Sequence, residues 1–130
     1  MIYSFSIMSN NTKKFSNDIN TRCYNFSLSI ISLVNRLPRT RSAYIISDQL
    51  VRSATSIGAN LSEAKSASSR LEYKKFYEIS LKSANEVKYW LNLLKDTNMV
   101  HKNKVDYLLT EVTEIANMLA SGVLKLKGKK

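Results

Sequence analysis

The sequence predicts an all-α protein, an antiparallel up-down-up-down four-helix bundle. Apolar residues recur three or four positions apart through four successive segments, a spacing that places them on one face of an α-helix. The 130 residues include one Pro and three Gly, so neither a loop-rich nor an all-β architecture is expected. Four long helices joined by short links favour the antiparallel bundle in a single domain.

The first predicted helix spans about residues 16–36. Ser16 or Asn17 is expected to cap it, with Asp18 in the first turn, where negative charge is favourable. Pro38 ends it, because the residue before a proline disfavours helical geometry. Its apolar stripe consists of Ile19, Cys23, Phe26, Ile30, Leu33 and Leu37. Because Cys23 lies inside this stripe, we interpret it as a small core residue and not as a nucleophile.

The second predicted helix begins near Ser42 or Ala43 and carries two parallel stripes. One is apolar and consists of Ile46, Leu50, Ala54, Ile57, Leu61 and Ala64. The other consists of Gln49, Ser53, Ser56, Asn60, Glu63 and Ala67. Gly58 and Asn60 each disfavour a helix by roughly 0.5–1 kcal/mol relative to Ala. We therefore predict that the second stripe packs closely against another helix; the alternative is an ordinary polar outer face.

The third predicted helix follows a turn at 66–70 and ends near Lys95 or Asp96. It has a broad buried face, made of Tyr73, Phe76, Ser80, Ser83, Val87, Trp90 and Leu94 beside Tyr77, Leu81, Ala84 and Leu91. A turn near residue 69 brings Arg52 level with Glu86, which predicts an ion pair or a hydrogen-bonded network. The predicted polar seam between the second and third helices consists of Gln49, Arg52, Ser53, Ser56, Asn60, Glu63, Ser83 and Glu86.

The fourth predicted helix starts near His101 or Asn103. Its buried stripe consists of Val105, Leu108, Val112, Ile115 and Leu119, widened by Leu109, Ala116 and Val123. We expect residues 1–15 to be a flexible N-terminal segment, 16–124 the bundle and 125–130 a basic tail. The apolar patch near the N-terminus precedes its basic residues, so it does not resemble a secretory signal. Met8 is an alternative to Met1 as the true start.

The two middle helices resemble the four-helix-bundle family named after proteins encoded in intervening sequences of bacterial 23S ribosomal RNA genes. The shared pattern is Gln49, Arg52, Ser53, Ser56-Ile57-Gly58, Asn60, Glu63-Ala64, Ser80-Leu81-Lys82, Glu86 and Tyr89-Trp90-Leu91. Ala64 stands where many members have Gly. The resemblance implies a small, basic, all-helical protein. Some members are similar to the accessory protein of diversity-generating retroelements, a pentameric ring that binds nucleic acid and the reverse transcriptase. A homo-oligomer, with a pentamer favoured, is therefore expected.

The sequence contains no catalytic, metal-binding or cofactor-binding constellation. His101 is the single histidine and Cys23 the single cysteine, so the four ligands of a zinc site cannot be assembled from these two types. Glu111 and Glu114 are three residues apart in the fourth helix, and we interpret them as part of a solvated face. We expect no enzymatic activity and no cofactor.

The charge balance favours an anionic partner. Twenty Lys and Arg against ten Asp and Glu give a formal charge of +10, which attracts nucleic acid. The candidate contacts are Arg39, Arg41, Arg70, Lys74, Lys75, Lys82, Lys88, Lys102, Lys104, Lys125 and Lys127. Because they are spread over the chain, they predict contact with backbone phosphates without base readout. The resemblance to proteins encoded in ribosomal RNA genes implies RNA before DNA. The alternatives are charge that serves solubility alone and attachment to an anionic membrane surface.

Aromatic residues of the third helix are the candidate oligomer interface, because a four-helix monomer would not bury all of them. They are Tyr73, Tyr77, Tyr89 and Trp90. The rival function is a structural or adaptor module that binds protein and has no direct role with nucleic acid. The lone cysteine and the lack of a run of about 18 apolar residues predict a cytoplasmic protein without a membrane span.

Overall fold

The computed structural model describes residues 18–128, which form four α-helices in an antiparallel bundle. The helices are α1 (Ile19–Val34), α2 (Arg41–Ala64), α3 (Arg70–Thr97) and α4 (Lys102–Gly128). Each of the contacts α1–α2, α2–α3 and α3–α4 joins sequence neighbours, and α4 closes the ring against α1. Within these residues the backbones of diagonally opposite helices do not come close to each other. The predicted all-α four-helix fold is confirmed.

Polar caps fix where the first two helices begin, and they differ from the predicted ones. α2 starts at Arg41, before the predicted Ser42, because Thr40 accepts a hydrogen bond from the backbone N–H of Ala43 at 3.2 Å. Asp18, expected in the first turn of α1, is itself the N-cap and accepts from the backbone N–H of Asn20 at 3.3 Å. The two predicted caps of α1 lie outside the described residues: Ser16 and Asn17.

The last helix is longer than the sequence suggested. α4 continues to Gly128, so residues 125–128 extend the helix where a basic tail was expected. The predicted N-terminal segment, the alternative start at Met8 and residues 129–130 lie outside the described residues. Asn98 adopts the left-handed conformation with φ 60° and ends α3, a role that Asn tolerates better than most residues.

The predicted apolar stripes meet in one core. The α2 stripe is buried along its whole length, and the α4 stripe is buried except at Leu109, which is half-buried. Tyr73 and Phe76, near the start of α3, are also only half-buried. The largest fully buried side chains include Ile30, Leu50, Ile57, Leu61, Leu91, Leu94, Ile115 and Leu119. Cys23 is also fully buried, and burial raises the pKa of its thiol to about 12. This thiol stays protonated at neutral pH, as expected of a core cysteine.

Gly58 marks the close approach of α2 to α1, not to α3. A Cβ built at this position would lie 3.4 Å from Cys23 Cβ, which is an ordinary contact distance. The sequence-based interpretation used Gly58 as support for the contact with the third helix, and that assignment is wrong. The glycine lies on the opposite side of α2 from the polar stripe.

Gly122 serves a different purpose, because it leaves room for the ring of Tyr77. A Cβ at Gly122 would lie 2.6 Å from Tyr77 Cε2. The same ring stacks against Tyr73, with centroids 5.2 Å apart. Tyr77 therefore fills the space between α3 and α4 near the end of the bundle at which α1 begins.

The two glycines should respond oppositely to alanine. Gly58→Ala should stabilise the protein by up to about 1 kcal/mol, because helix propensity improves and the new methyl makes an ordinary contact. Gly122→Ala should destabilise it by about 1–3 kcal/mol, because the added methyl displaces a packed ring. Urea denaturation measures both. Tyr77→Leu should remove the penalty of Gly122→Ala, and equal effects of the two alanines would contradict this account.

Candidate functional site

The contact between α2 and α3 contains a hydrogen-bonded group around Glu86. Its Oε2 accepts from Trp90 Nε1 at 3.0 Å and lies 2.8 Å from Ser53 Oγ. The Ser53 hydroxyl also lies 2.8 Å from the backbone carbonyl O of Gln49, so two acceptors compete for its one proton. Hydrogen bonds from Trp90 and then from Ser53 hold the pKa of Glu86 below its usual value, and the nearby charge of Lys82 adds to this. The carboxylate thus holds two helices and a large aromatic ring in place.

A second group of polar side chains lies further along the same contact. Ser83 Oγ donates to Ser56 Oγ across the helices at 2.9 Å. The side-chain amide of Asn60 donates to Ser56 Oγ and to the backbone O of Ser56, both at 2.9 Å. Deeper still, the fully buried Ser80 donates to the backbone O of Ile57 at 2.7 Å. Every buried side-chain N or O atom in residues 18–128 has a hydrogen-bond partner.

These hydrogen bonds show which residues of α2 and α3 face each other, and they can be compared with the register predicted from a turn near residue 69. The pairing of Ser53 with Glu86, and of Ser56 with Ser83, agrees with the predicted register to within one residue. The prediction for Arg52 and Glu86 was an ion pair or a hydrogen-bonded network. In the described chain no salt bridge joins the two residues, and Arg52 is exposed. A hydrogen-bonded network does form at Glu86, but Ser53 takes the place that was predicted for Arg52. Residue 53 lies about 100° further round the helix than residue 52, so Ser53 faces α3 and Arg52 faces solvent.

Two residues of the seam take little part in it. Glu63 is exposed and makes no side-chain hydrogen bond or ion pair in the described chain, whereas Gln49 is half-buried and contributes only its backbone carbonyl. Sequence reasoning placed Ser80 in the apolar stripe and left it out of the seam. The available signal was a second serine in the stripe, one turn before Ser83, which the seam already included.

An ion-pair cluster joins α1 to α4, and the sequence interpretation missed it. Arg22 Nη2 lies 2.8 Å from Glu111 Oε1 and 2.7 Å from Glu114 Oε1, and its Nε donates to Glu111 Oε2 at 3.2 Å. The Arg22 and Glu111 side chains are 21% and 14% exposed. The interpretation of the two glutamates as a solvated face is therefore wrong for Glu111, whereas Glu114, with a side chain that is 56% exposed, does lie at the surface. The arginine holds the helix pair that has the least contact in the ring.

The candidate nucleic-acid contacts occupy both ends of the bundle. The antiparallel topology places Arg39, Arg41, Lys102 and Lys104 at one end, and Arg70, Lys74, Lys75, Lys125 and Lys127 at or near the other. Nine of the eleven candidates are exposed, while Lys74 and Lys88 are half-buried. No ion pair among the described residues neutralises any of them. Arg70 alone is tethered, because its Nη2 donates to the backbone O of Leu126 at 3.4 Å.

The four candidate interface aromatics do not share one surface. Tyr73 and Tyr77 stack on each other beside α4, and Trp90 is bound to Glu86. Tyr89 is 61% exposed and meets Trp90 edge-on, with centroids 5.0 Å apart. Of the four, Tyr89 is therefore the residue most available to another molecule.

The described residues were also considered as possible metal ligands and as possible membrane spans. Across residues 18–128, no group of three His, Cys, Asp or Glu side chains is placed to hold a metal ion. None of the four described helices combines the length and apolar character needed to cross a membrane.

The fold and the seam define a class: a basic, antiparallel four-helix bundle whose middle pair of helices is aligned by hydroxyl and carboxylate hydrogen bonds. The model of the 23S rRNA-intervening sequence protein family matches residues 16–121. The chain therefore belongs to the 23S rRNA-intervening sequence protein family, as the resemblance in the middle helices implied.

One solved structure shows the similarity in three dimensions. A crystal structure from Bacteroides thetaiotaomicron, described as a protein of unknown function from the S23 ribosomal protein family, is 34% identical, with a TM-score of 0.77. The match covers 82% of this chain and 98% of that one. No curated protein matches the chain. The comparisons thus establish the family and fold.

Removing the charge of Glu86 should change how the free energy of unfolding depends on pH in the acid range. The folded-state pKa of this carboxyl is lowered, so its contribution is present above the usual value of 4.5 and is lost as pH falls through the folded pKa. Glu86→Gln should therefore lose less stability than wild type as pH is lowered below 4.5. Urea denaturation at a series of pH values measures this, with Glu63→Gln as the control. Identical slopes for the two variants would refute the role of Glu86.

Arg22 should contribute more to the free energy of unfolding than the exposed Arg36, which follows α1. Arg22→Ala should cost about 1–3 kcal/mol, because it leaves a half-buried carboxylate without its donor. Arg22→Lys should cost less, since it keeps the charge but loses the planar fork. The exposed Arg36 is the control, and Arg36→Ala should stay within about 0.5 kcal/mol. A loss below that limit in Arg22→Ala would show that the cluster is dispensable.

Proposed function

We propose that this protein is a non-enzymatic, oligomeric bundle that binds nucleic acid through backbone phosphates. The observation that carries the proposal is the set of exposed, unneutralised cations at both ends of the bundle. Arg39, Arg41, Lys102 and Lys104 form one end set, and Lys125, Lys127, Arg70 and Lys75 the other. Helices of 24–28 residues separate the two sets by roughly 36–42 Å at 1.5 Å per residue.

The distribution of these cations favours shape-independent contact with phosphates over reading of bases. A protein that reads base edges concentrates its donors on one helix or ribbon that enters a groove. Here the cations belong to links and helix ends that point in opposite directions, which suits a flexible or extended polyanion. The name of the family, which refers to 23S rRNA, is the reason to place RNA before DNA.

No enzymatic activity is proposed, because the side chains that could act as nucleophile, acid or base are buried or isolated. Cys23 is buried with a raised pKa, and His101 is exposed in the link between α3 and α4. Glu86 accepts hydrogen bonds from Trp90 and Ser53, which lower its pKa, and neither of these donors is a base that could take part in proton transfer.

Oligomer formation would multiply the charge presented to a polyanion and so raise affinity through several weak contacts. Tyr89 supports this part of the proposal, because it is 61% exposed beside Leu93, one turn further along α3, which is 36% exposed. Light scattering should give a mass that is a multiple of 14.8 kDa. Tyr89→Lys should lower that mass, and a wild-type monomer at all concentrations would remove oligomer formation from the proposal.

Binding to RNA should depend steeply on salt and weakly on sequence. The logarithm of the association constant should fall linearly with the logarithm of salt concentration, with a slope of about −0.7 per phosphate contacted for a single strand. Replacing Arg39, Arg41 and Lys102 by Gln should make the slope less negative, and replacing Lys125 and Lys127 should act in the same direction. Electrophoretic shift with two RNAs of unrelated sequence, and with DNA of the same sequences, measures these effects.

Three neutral exposed residues on α4 provide a control for the surface changes themselves. Thr110, Thr113 and Asn117 replaced by Gln should leave the slope unchanged, because no candidate cation is altered. Absence of binding at about 50 mM salt, or binding without a salt slope, would contradict the proposal and favour the adaptor function.

A further inference from the structure

Tyrosine rings at the surface of the bundle differ in the charge beside them. The tyrosines of residues 18–128 that are more than half exposed are Tyr24, Tyr44, Tyr89 and Tyr107. Arg41 lies three residues before Tyr44, and Lys104 lies three residues before Tyr107. Neither of the other two rings has a Lys or Arg three or four residues away. Because side chains at this spacing are neighbours on a helix, two of the four rings stand beside a cation.

These two tyrosines lie at the same end of the bundle. We call it the two-link end, because it contains both the link 35–40 and the link 98–101. Tyr44 is in the first turn of α2, and Tyr107 is in the second turn of α4. Both helices begin at this end, so both rings are close to it. Tyr44 is 60% exposed and Tyr107 is 56% exposed.

The two rings also lie on the two flanks of α1. Tyr44 is about four turns before Gly58, the residue of α2 that packs closely on α1. Tyr107 is about one turn before Glu111, which forms an ion pair with an arginine of α1. Residues separated by whole turns share one side of a helix. Each ring is therefore on the α1 side of its own helix, and the end of α1 lies between them.

The surface around the two rings is positively charged. The exposed cations of the two-link end are Arg36, Arg39, Arg41, Lys102 and Lys104. None of these cations forms an ion pair within the part of the chain that the structure describes. Two exposed carboxylates oppose them: Asp48, one turn beyond Tyr44, and Asp96, on the helix diagonally opposite α1. The cations remain in excess, and they lie between and beside the rings.

The other end of the bundle has cations but lacks exposed rings. Its tyrosines, Tyr73 and Tyr77, are half-buried and stack on each other. Tyr73 follows Arg70 by three residues, but that arginine donates to the backbone O of Leu126. Rings packed in this way offer little surface to another molecule. The combination of exposed tyrosines with unpaired cations is therefore a property of the two-link end.

We propose that the two-link end binds single-stranded RNA, with unpaired bases stacked on Tyr44 and Tyr107 and phosphates held by the cations between them. The inference rests on the proposed function and adds a substrate class to it. Single strands expose the faces of their bases, which stack on aromatic rings whatever the sequence. A duplex is a poorer ligand because its bases are already stacked on each other. A protein interface fits less well, because charged residues are depleted at interface centres and here they surround both rings.

The separation of the rings sets the length of the probe. Neighbouring helices lie roughly 8–10 Å apart, so the axes of the two helices that flank α1 are about 11–14 Å apart. A strand of about twelve nucleotides exceeds this distance even at roughly 3.4 Å per nucleotide. A fluorescein-labelled oligouridine of that length is a suitable probe, with an RNA duplex of the same length and inorganic polyphosphate as competitors. By fluorescence anisotropy, the wild-type full chain should bind the single strand at least about fivefold more tightly than either competitor.

Tyrosine variants separate stacking from charge. The double variant Tyr44→Leu with Tyr107→Leu should weaken binding of the single strand at least about fivefold. It should leave the salt slope and duplex binding unchanged, because no phosphate contact is removed. Replacing both tyrosines by Phe should keep wild-type affinity, because the ring faces remain.

Tyr24→Leu is the matched control and should have no effect. This tyrosine is 66% exposed, but it lies in the half of α1 away from the two-link end. Arg41→Gln with Lys104→Gln should make the salt slope less negative, which the Leu variants should not do.

Four outcomes would overturn the proposal. Wild-type affinity in the double Leu variant would show attraction to surface charge alone, and equal weakening by Tyr24→Leu would show an effect without a site. A lower mass of the double Leu variant in light scattering would assign the rings to contacts between copies. Absence of any salt-dependent binding by wild type would remove the proposed function as well. Salt-dependent binding that ignores the tyrosines would remove this inference and leave the proposed function standing.

Discussion

The hydrogen-bonded contact between α2 and α3 sets the position of everything else in the bundle. Apolar stripes alone would tolerate a shift of one helical turn, because Leu, Ile and Val pack in several registers. Ser80 does not tolerate it, because a fully buried hydroxyl without its partner costs about 1–3 kcal/mol. The pairs Ser53–Glu86 and Ser56–Ser83 add the same selection along the contact. Because α3 also packs on α4, this register fixes the position of α4 along the bundle axis as well.

The distribution of charged side chains on the surface follows from that alignment of the helices. With the middle helices in register, the links and helix ends bring basic residues together at both ends, whereas the carboxylates Glu111, Glu114 and Asp106 are used in ion pairs between helices. The basic residues at the two ends have no ion-pair partner among the described residues. Gly58 lets α2 approach α1 closely, because a Cβ built at the glycine would lie 3.4 Å from Cys23 Cβ.

The sequence was sufficient for the fold, for most of the core and for the register, because periodicity and turn position depend on local rules. It was not sufficient for the choice of partner within the seam. Arg52 and Ser53 are adjacent, and charge made the arginine the attractive partner for Glu86, whereas helix geometry gave that place to the serine. The Arg22 cluster and the side of α2 on which Gly58 packs also escaped prediction, because both depend on how α1 sits against helices distant in sequence.

A double-mutant cycle on Ser56 and Ser83 tests the importance of the seam most directly. Free energies of unfolding for Ser56→Ala, Ser83→Ala and the double variant give their coupling energy, which the account predicts to be about 0.5–1.5 kcal/mol. The same cycle with Lys82→Ala in place of Ser83→Ala should give a coupling near zero, because Lys82 is exposed and does not bond to Ser56. Additive effects for the two serines, with no coupling, would contradict the claim that these hydroxyls align the helices.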